Sequence, residues 1–200
     1  MTSAMVKRMF DLLASILGLI PLLPIFAVLA LVIKLDSHGP VFYRGFRAGR
    51  HGKPFRIFKF RTMVVNAHEL GGPSSSADDP RITRTGSFLR RYKLDELPQL
   101  LNVLTGEMSL VGPRPEVVEE VLLYSDEEKR LLSVRPGITD WASIRFRNEG
   151  EILRGSVDPH AAYREKIRPE KIRLGLDYVR SHSFVTDCRI IIRTLKSVIE

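Results

Sequence analysis

From Leu12 to Ile33 the chain carries no charged residue, and this run, LLASILGLIPLLPIFAVLALVI, limits the fold more than any other feature. About 22 apolar residues in one helix extend about 33 Å, the depth of a bilayer's hydrocarbon core. A secretory signal fits poorly. The apolar core is too long, and no small-x-small cleavage site precedes the charged stretch after Lys34. Pro21 and Pro24 fall near the middle. Each removes a backbone donor and crowds the preceding turn, so a sharp bend or break is expected there. Carbonyls freed at such a break need protein or interfacial water, because Ser15 is about two turns away. Lys7 and Arg8 precede the run, and Lys34, Arg44, Arg47, Arg50 and Lys53 follow it. Positive charge at both ends favours keeping both on the cytoplasmic side. A helix-break-helix that dips into one leaflet and returns satisfies both ends. A proline-kinked spanning helix and a buried core helix are the alternatives.

Beyond this run the chain reads as a folded domain. A hydrophobic fraction of 44% and a charged fraction of 27% exclude a mostly disordered chain and a polytopic membrane protein. The single cysteine, Cys188, excludes a disulfide framework and a Cys-based zinc site. The net charge of +8 points to an anionic partner: nucleic acid, a phosphorylated small molecule or an acidic membrane surface. A strand pair is expected around Gly49–Gly52 and a Gly/Ser/Pro/Asp-rich loop over residues 69–86. Ser87 is the expected cap of a short helix starting at Phe88. A second helical piece should start at Asp95, tolerate Pro98 in its first turn and end at Gly106. Val111–Glu116 should be a rigid loop. Helices are expected over Glu116–Val134, over Tyr163–Arg180 with an interruption near Pro169, and over Asp187–Ile199. The last is basic and amphipathic. It suits a membrane surface or a core-packed helix with a solvated face.

Asp95 and Glu96 lie between the basic cluster Arg90, Arg91, Lys93 and an apolar helix. Neighbours on a helix point about 100° apart, which suits two different jobs better than one shared proton. One carboxylate could attack while the other holds a hard cation such as Mg²⁺, which takes one or two carboxylates, water and phosphate oxygens. The alternative is a solvated pair complementing a helix dipole. Arg114, fixed between Pro113 and Pro115, could grip a phosphate bidentately. Lys59, Arg61 and Thr62 form a second phosphate-compatible group, and Arg145, Arg147 and Asn148 a third. Folded around the carboxylates, these groups would receive a diphosphate. Each could equally be a solvated basic surface.

KFRTM at 59–63, LDELPQLLNVLTGEMSLVGPRP at 94–115 and RPGIT at 135–139 resemble the bacterial sugar transferase family. These are small monotopic phosphoglycosyl transferases, and the resemblance covers nearly the whole chain. It implies an α+β fold, mainly helical with short strands. Residues 1–36 would form a re-entrant membrane helix, and residues 37–200 a compact catalytic domain on the cytoplasmic face of the bacterial inner membrane. It implies transfer of a sugar-1-phosphate from a UDP-sugar to polyprenol (undecaprenyl) phosphate with release of UMP. By this resemblance Asp95 is the nucleophile, Glu96 helps hold Mg²⁺, Arg114 binds phosphate, and Lys59, Arg90 and Arg147 are basic positions near the site. Membrane lipid is then a partner, nucleic acid is not, and a homodimer is left open. Two departures stand out. Family members break the membrane helix at a Ser-Pro pair, whereas Leu23 precedes Pro24 here, and Pro21 would have to compensate. Many members read Gly-Trp-Ala-Gln-Val-Asn-Gly-Arg-Asn after RPGIT, whereas this chain has DWASIRFRN at 140–148.

Overall fold

The structure, a computed structural model, describes residues 3–199. Helix α1 spans Ser3–Asp36. Four short strands follow, β1 (Phe42–Tyr43), β2 (Phe46–Ala48), β3 (Pro54–Arg56) and β4 (Lys59–Phe60), then the one-turn helix α2 (Ala67–Leu70). Next come α3 (Arg84–Arg91), a 3₁₀ turn at Leu94–Glu96, α4 (Gln99–Thr105), β5 (Ser109–Val111) and α5 (Val118–Val121). Strand β6 (Gly137–Thr139) precedes α6 (Trp141–Arg145), α7 (Glu149–Ile152), α8 (Pro159–Lys166), α9 (Arg168–Ser181) and α10 (Phe184–Ile199). The fold is therefore mainly helical with short strands, as expected. The strands form three two-stranded sheets: β1 with β4 and β2 with β3, both antiparallel, and β5 with β6, parallel.

Helical structure in α1 runs without interruption through Pro21 and Pro24, where a break is expected from sequence. Proline's fixed φ is itself helical, so the cost falls on hydrogen bonding. The carbonyls of Leu17 and Ile20 lose their usual donors, and both residues lie on the exposed side. Only α1, among the described residues, is long and apolar enough to cross a membrane, and just 17% of its apolar window is buried. The buried positions Asp11, Ser15, Leu19 and Ile33 lie on one stripe. Leu13, Leu17, Ile20, Leu23, Val28, Leu31 and Leu35 face outward.

Both ends of α1 are fastened to the same domain. Near its start Lys7 donates to Asp187 of α10 at 2.6 Å, and Arg8 donates to the carbonyls of Val103 and Leu104 at 2.7 and 3.1 Å. Near its end Ile33 packs with Phe60 and Leu89, and Asp36 accepts from the Thr85 amide at 3.1 Å. Arg61, expected with the phosphate groups, is instead buried against the linker after α1. It donates to Pro40 O at 2.6 Å, Ser37 Oγ at 2.7 Å and Ser37 O at 2.8 Å.

Two other boundaries differ from the sequence reading and a third agrees with it. Thr83, not Ser87, caps α3 by accepting from the Gly86 amide at 3.0 Å, so the helix starts at Arg84. The helix expected over Glu116–Val134 is only α5 and a 3₁₀ segment at Glu128–Ser133. Tyr163–Arg180 is two helices meeting at Ile167, consistent with the interruption expected near Pro169.

Candidate active site

The site is assembled from three stretches far apart in sequence. The first is the turn from α3 to α4. Lys93 holds a left-handed backbone, φ 56°, an unfavourable state for a residue with a Cβ. It reverses the chain after α3 and starts the 3₁₀ turn that carries Asp95 and Glu96. Gly106, at φ 85°, closes α4 as expected. The second stretch is β4, where Lys59 pairs with Tyr43. The third is the loop after β5. There β5 and β6 pair so closely that a Cβ on Gly112 would lie 2.4 Å from Arg135 O, and one on Gly137 2.1 Å from Gly112 N. Only glycine fits at either position. The Gly137 amide donates to Pro113 O at 3.0 Å, and Arg114 donates to Ile138 O at 2.7 Å. RPGIT thus braces the Pro-Arg-Pro loop and aims its guanidinium.

These stretches converge on Glu96. Lys59 Nζ donates to Glu96 Oε1 at 2.9 Å, and Arg114 forks onto both oxygens, with Nη1 donating to Oε2 at 2.7 Å and Nη2 to Oε1. Burial pushes the Glu96 carboxyl up, but Arg114 and Lys59 outweigh it and hold it well below the usual carboxylate range. Asp95 is different. It is 7% exposed, and no hydrogen bond to its carboxylate occurs among the described residues. Burial raises its pKa, the neighbouring Glu96 charge raises it further, and Lys59, Arg90 and Lys93 oppose this only in part. One carboxylate is therefore clamped and ionised, while its neighbour is unbonded and costly to ionise. That difference in surroundings is what the adjacent spacing allows, because neighbours on a helical turn point apart.

Arg90 comes from the last turn of α3. Its Nε donates to Thr62 Oγ1 at 3.0 Å and its Nη1 to Ser75 Oγ at 2.7 Å, which ties the Ser-rich loop to the site. Of the residues singled out in the sequence, Lys59, Arg90, Asp95, Glu96 and Arg114 are brought together. Arg147 makes no hydrogen bond or ion pair with them among the described residues, and it sits between α6 and α7. No group of three or more His, Cys, Asp or Glu suited to a metal occurs among the described residues.

One residue escaped the sequence reading. Asn102 on α4 is fully buried. Its Oδ1 accepts from the Phe58 amide at 2.8 Å, and its Nδ2 donates to Arg56 O at 2.9 Å and Glu107 Oε2 at 2.7 Å. It holds the β3–β4 segment, and with it Lys59, against the helix after the carboxylates. The available signal was an amide set inside the apolar stretch LLNVL.

The family model for bacterial sugar transferases matches residues 2–200. The chain belongs to this family. The undecaprenyl-phosphate glucose phosphotransferase of Komagataeibacter xylinus is 42% identical over 197 residues, which are 95% of this chain but 35% of that protein. The uncharacterized sugar transferase EpsL of Bacillus subtilis is 40% identical over 193 residues, covering 96% of this chain and 87% of EpsL. The UDP-glucose:undecaprenyl-phosphate glucose-1-phosphate transferase of Escherichia coli is 37% identical over 199 residues, covering 96% of this chain and 39% of that protein. This sugar transferase thus spans little more than a third of two of these relatives and most of the third.

Proposed function

We propose that this sugar transferase moves a sugar-1-phosphate from a UDP-sugar to undecaprenyl phosphate through a covalent intermediate on Asp95. The observation that carries the reading is the contrast between the two carboxylates. Asp95 is unbonded and desolvated, and Glu96 beside it is locked by Lys59 and Arg114. A desolvated carboxylate is a better nucleophile than a hydrated one. The names of the K. xylinus and E. coli relatives supply the acceptor class, and the latter supplies the donor.

In the first step an Asp95 oxygen attacks the sugar-bearing phosphorus of the donor. A P–O bond forms to Asp95, and the P–O bond to the departing UMP breaks. In the second step an oxygen of the acceptor phosphate attacks the same phosphorus. The polyprenyl-diphosphate sugar forms and Asp95 is freed. Arg90, with guanidinium N–H groups beyond those on Thr62 and Ser75, and Arg114 would stabilise the charge building on the transferring phosphoryl group. The donor set suits Mg²⁺ held by few protein ligands, because Glu96 Oε2 accepts a single hydrogen bond and keeps a lone pair. Held by Glu96 and phosphate oxygens, the ion would neutralise diphosphate charge. Splitting transfer into two half-reactions lets a water-borne donor and a lipid-borne acceptor use one site in turn.

The seat is the membrane surface on the cytoplasmic side. A helix fastened at both ends to one folded domain presents its apolar face to a single leaflet more readily than it crosses. The test is donor turnover with radiolabelled sugar-phosphate followed by peptide mass analysis. A modified peptide containing Asp95 is expected in wild type and none in D95N. Product formation without any adduct overturns the mechanism. Cysteines placed on either flank of α1 in a C188S background should resist external labelling in intact cells.

A further inference from the structure

We infer that the outer face of α10, with Trp141, is a docking surface for anionic phospholipid headgroups. The inference rests on the proposed membrane seat of α1. Helix α10 starts against the start of α1. Phe184 meets Phe10 edge-on with ring centroids 5.3 Å apart, and Asp187 is ion-paired to Lys7 at 2.6 Å. Met9 and Leu13, which flank Phe10 on α1, are exposed. On α10, Val185, Arg189, Ile192 and Lys196 recur at i, i+4, i+7 and i+11, so they share one face, and all are exposed. Leu195, 60% exposed, lies in the row of Phe184, eleven residues on, and so on the side of the helix next to α1. The apolar surface of α1 therefore continues onto α10, and the cations lie on its far side. Lysine and arginine in that position can rest their stems on apolar surface and raise their charges to headgroup level.

The pattern of pairing separates this face from an ordinary solvated one. On the neighbouring α9 every Lys and Arg has a carboxylate partner: Arg168 with Glu128, Lys171 with Glu149, Arg173 with Glu170, and Arg180 with Glu127. On α10 none of Arg189, Arg193 and Lys196 has an ion-pair partner among the described residues. The only acid within α10, Asp187, is buried and turned to Lys7. The three cations line an open cleft of about 400 Å³ together with Ile192 and Trp141, and the Arg193 guanidinium lies 5.3 Å from the Trp141 ring centroid. An indole beside unpaired cations, at the edge of an apolar face, is the composition of a membrane-interface site.

Trp141 is the sole tryptophan, so it reports on this cleft directly. The 200-residue chain is placed in nanodiscs containing brominated lipid at equal mole fraction, either phosphatidylglycerol or phosphatidylcholine. Brominated phosphatidylglycerol should quench Trp141 at least about twofold more, and the excess should vanish at high salt and in R189Q/R193Q/K196Q. Equal quenching by the two lipids, or an excess that survives the triple substitution, overturns the proposal. So does an excess removed by soluble glycerol phosphate more than by chloride at the same ionic strength, which would mark a free-anion site. A dye on L23C in a C188S background reads α1 separately. If lipid quenches that dye while Trp141 shows no excess, only the α10 surface falls. If the dye is not quenched, the membrane seat falls with it.

Discussion

Replacing the two adjacent carboxylates one at a time should move stability in opposite directions while destroying turnover both times. Asp95 has its carboxyl raised above the ordinary 3.8, first by burial and then by Glu96. A carboxylate raised on folding holds its proton more tightly in the native state. Its penalty therefore grows as pH climbs from the ordinary value through the raised one, and is complete above it. D95N keeps the shape and removes the charge. Relief of such active-site strain commonly yields about 0.5–2 kcal/mol, and a chain of this length gains about 2–4 °C per kcal/mol, so Tm should rise by about 1–8 °C at neutral pH. Glu96 has the opposite sign. Its carboxyl is depressed by Arg114 and Lys59, so its contribution is present above the ordinary 4.5 and fades as pH falls through the lowered value. Removing one partner of a buried pair costs about 3–5 kcal/mol. The Glu96 side chain is 18% exposed and glutamine keeps one acceptor, which reduces the expected cost of E96Q to about 2–3 kcal/mol, or about 4–12 °C. The assay is fluorescence-detected unfolding in nanodiscs at one scan rate, at neutral and acid pH, beside UMP release. Both shifts should shrink at acid pH. A D95N protein that melts below wild type, or two variants that shift the same way, would refute the division of labour between these groups.

Three further outcomes follow from the geometry. Because Arg90 helps to hold Asp95 ionised, R90Q should move the acid limb of the kcat profile to higher pH, and an unmoved limb detaches that limb from Asp95. N102A leaves the Phe58 amide and Arg56 carbonyl without their partner, so urea unfolding should show a loss of about 2–4 kcal/mol; a loss under about 0.5 kcal/mol would mean these groups find other partners. G112A drives a methyl onto Arg135 O and should separate β5 from β6, lowering kcat at least about tenfold through a misplaced Arg114, whereas full activity would show that the loop is not braced by this contact.

The legible parts of the chain were those with local causes. The uncharged run dictated a long apolar helix, though not its continuity through Pro21 and Pro24, Gly106 ended α4, and the Asp95–Glu96 adjacency set the two carboxylates in different surroundings. Proline-flanked Arg114 was readable as a rigid cation because its stiffness lies in neighbouring bonds. What the fold decided was pairing at a distance. Lys59 and Arg61 look equivalent two residues apart, yet one reaches Glu96 and the other is buried against Ser37 and Pro40. Arg114 meets Glu96 only because Gly112 and Gly137 let two short strands touch. Arg147 matched the same motif logic and did not join the cluster. The length and apolarity of α1 come from composition, but fastening both its ends to one domain comes from Asp187 and Thr85, well over 40 residues away in the chain. Periodicity and turn chemistry act over a few bonds and can be read in order. Ion-pair choice is set by which surfaces pack, and packing is a property of the whole chain.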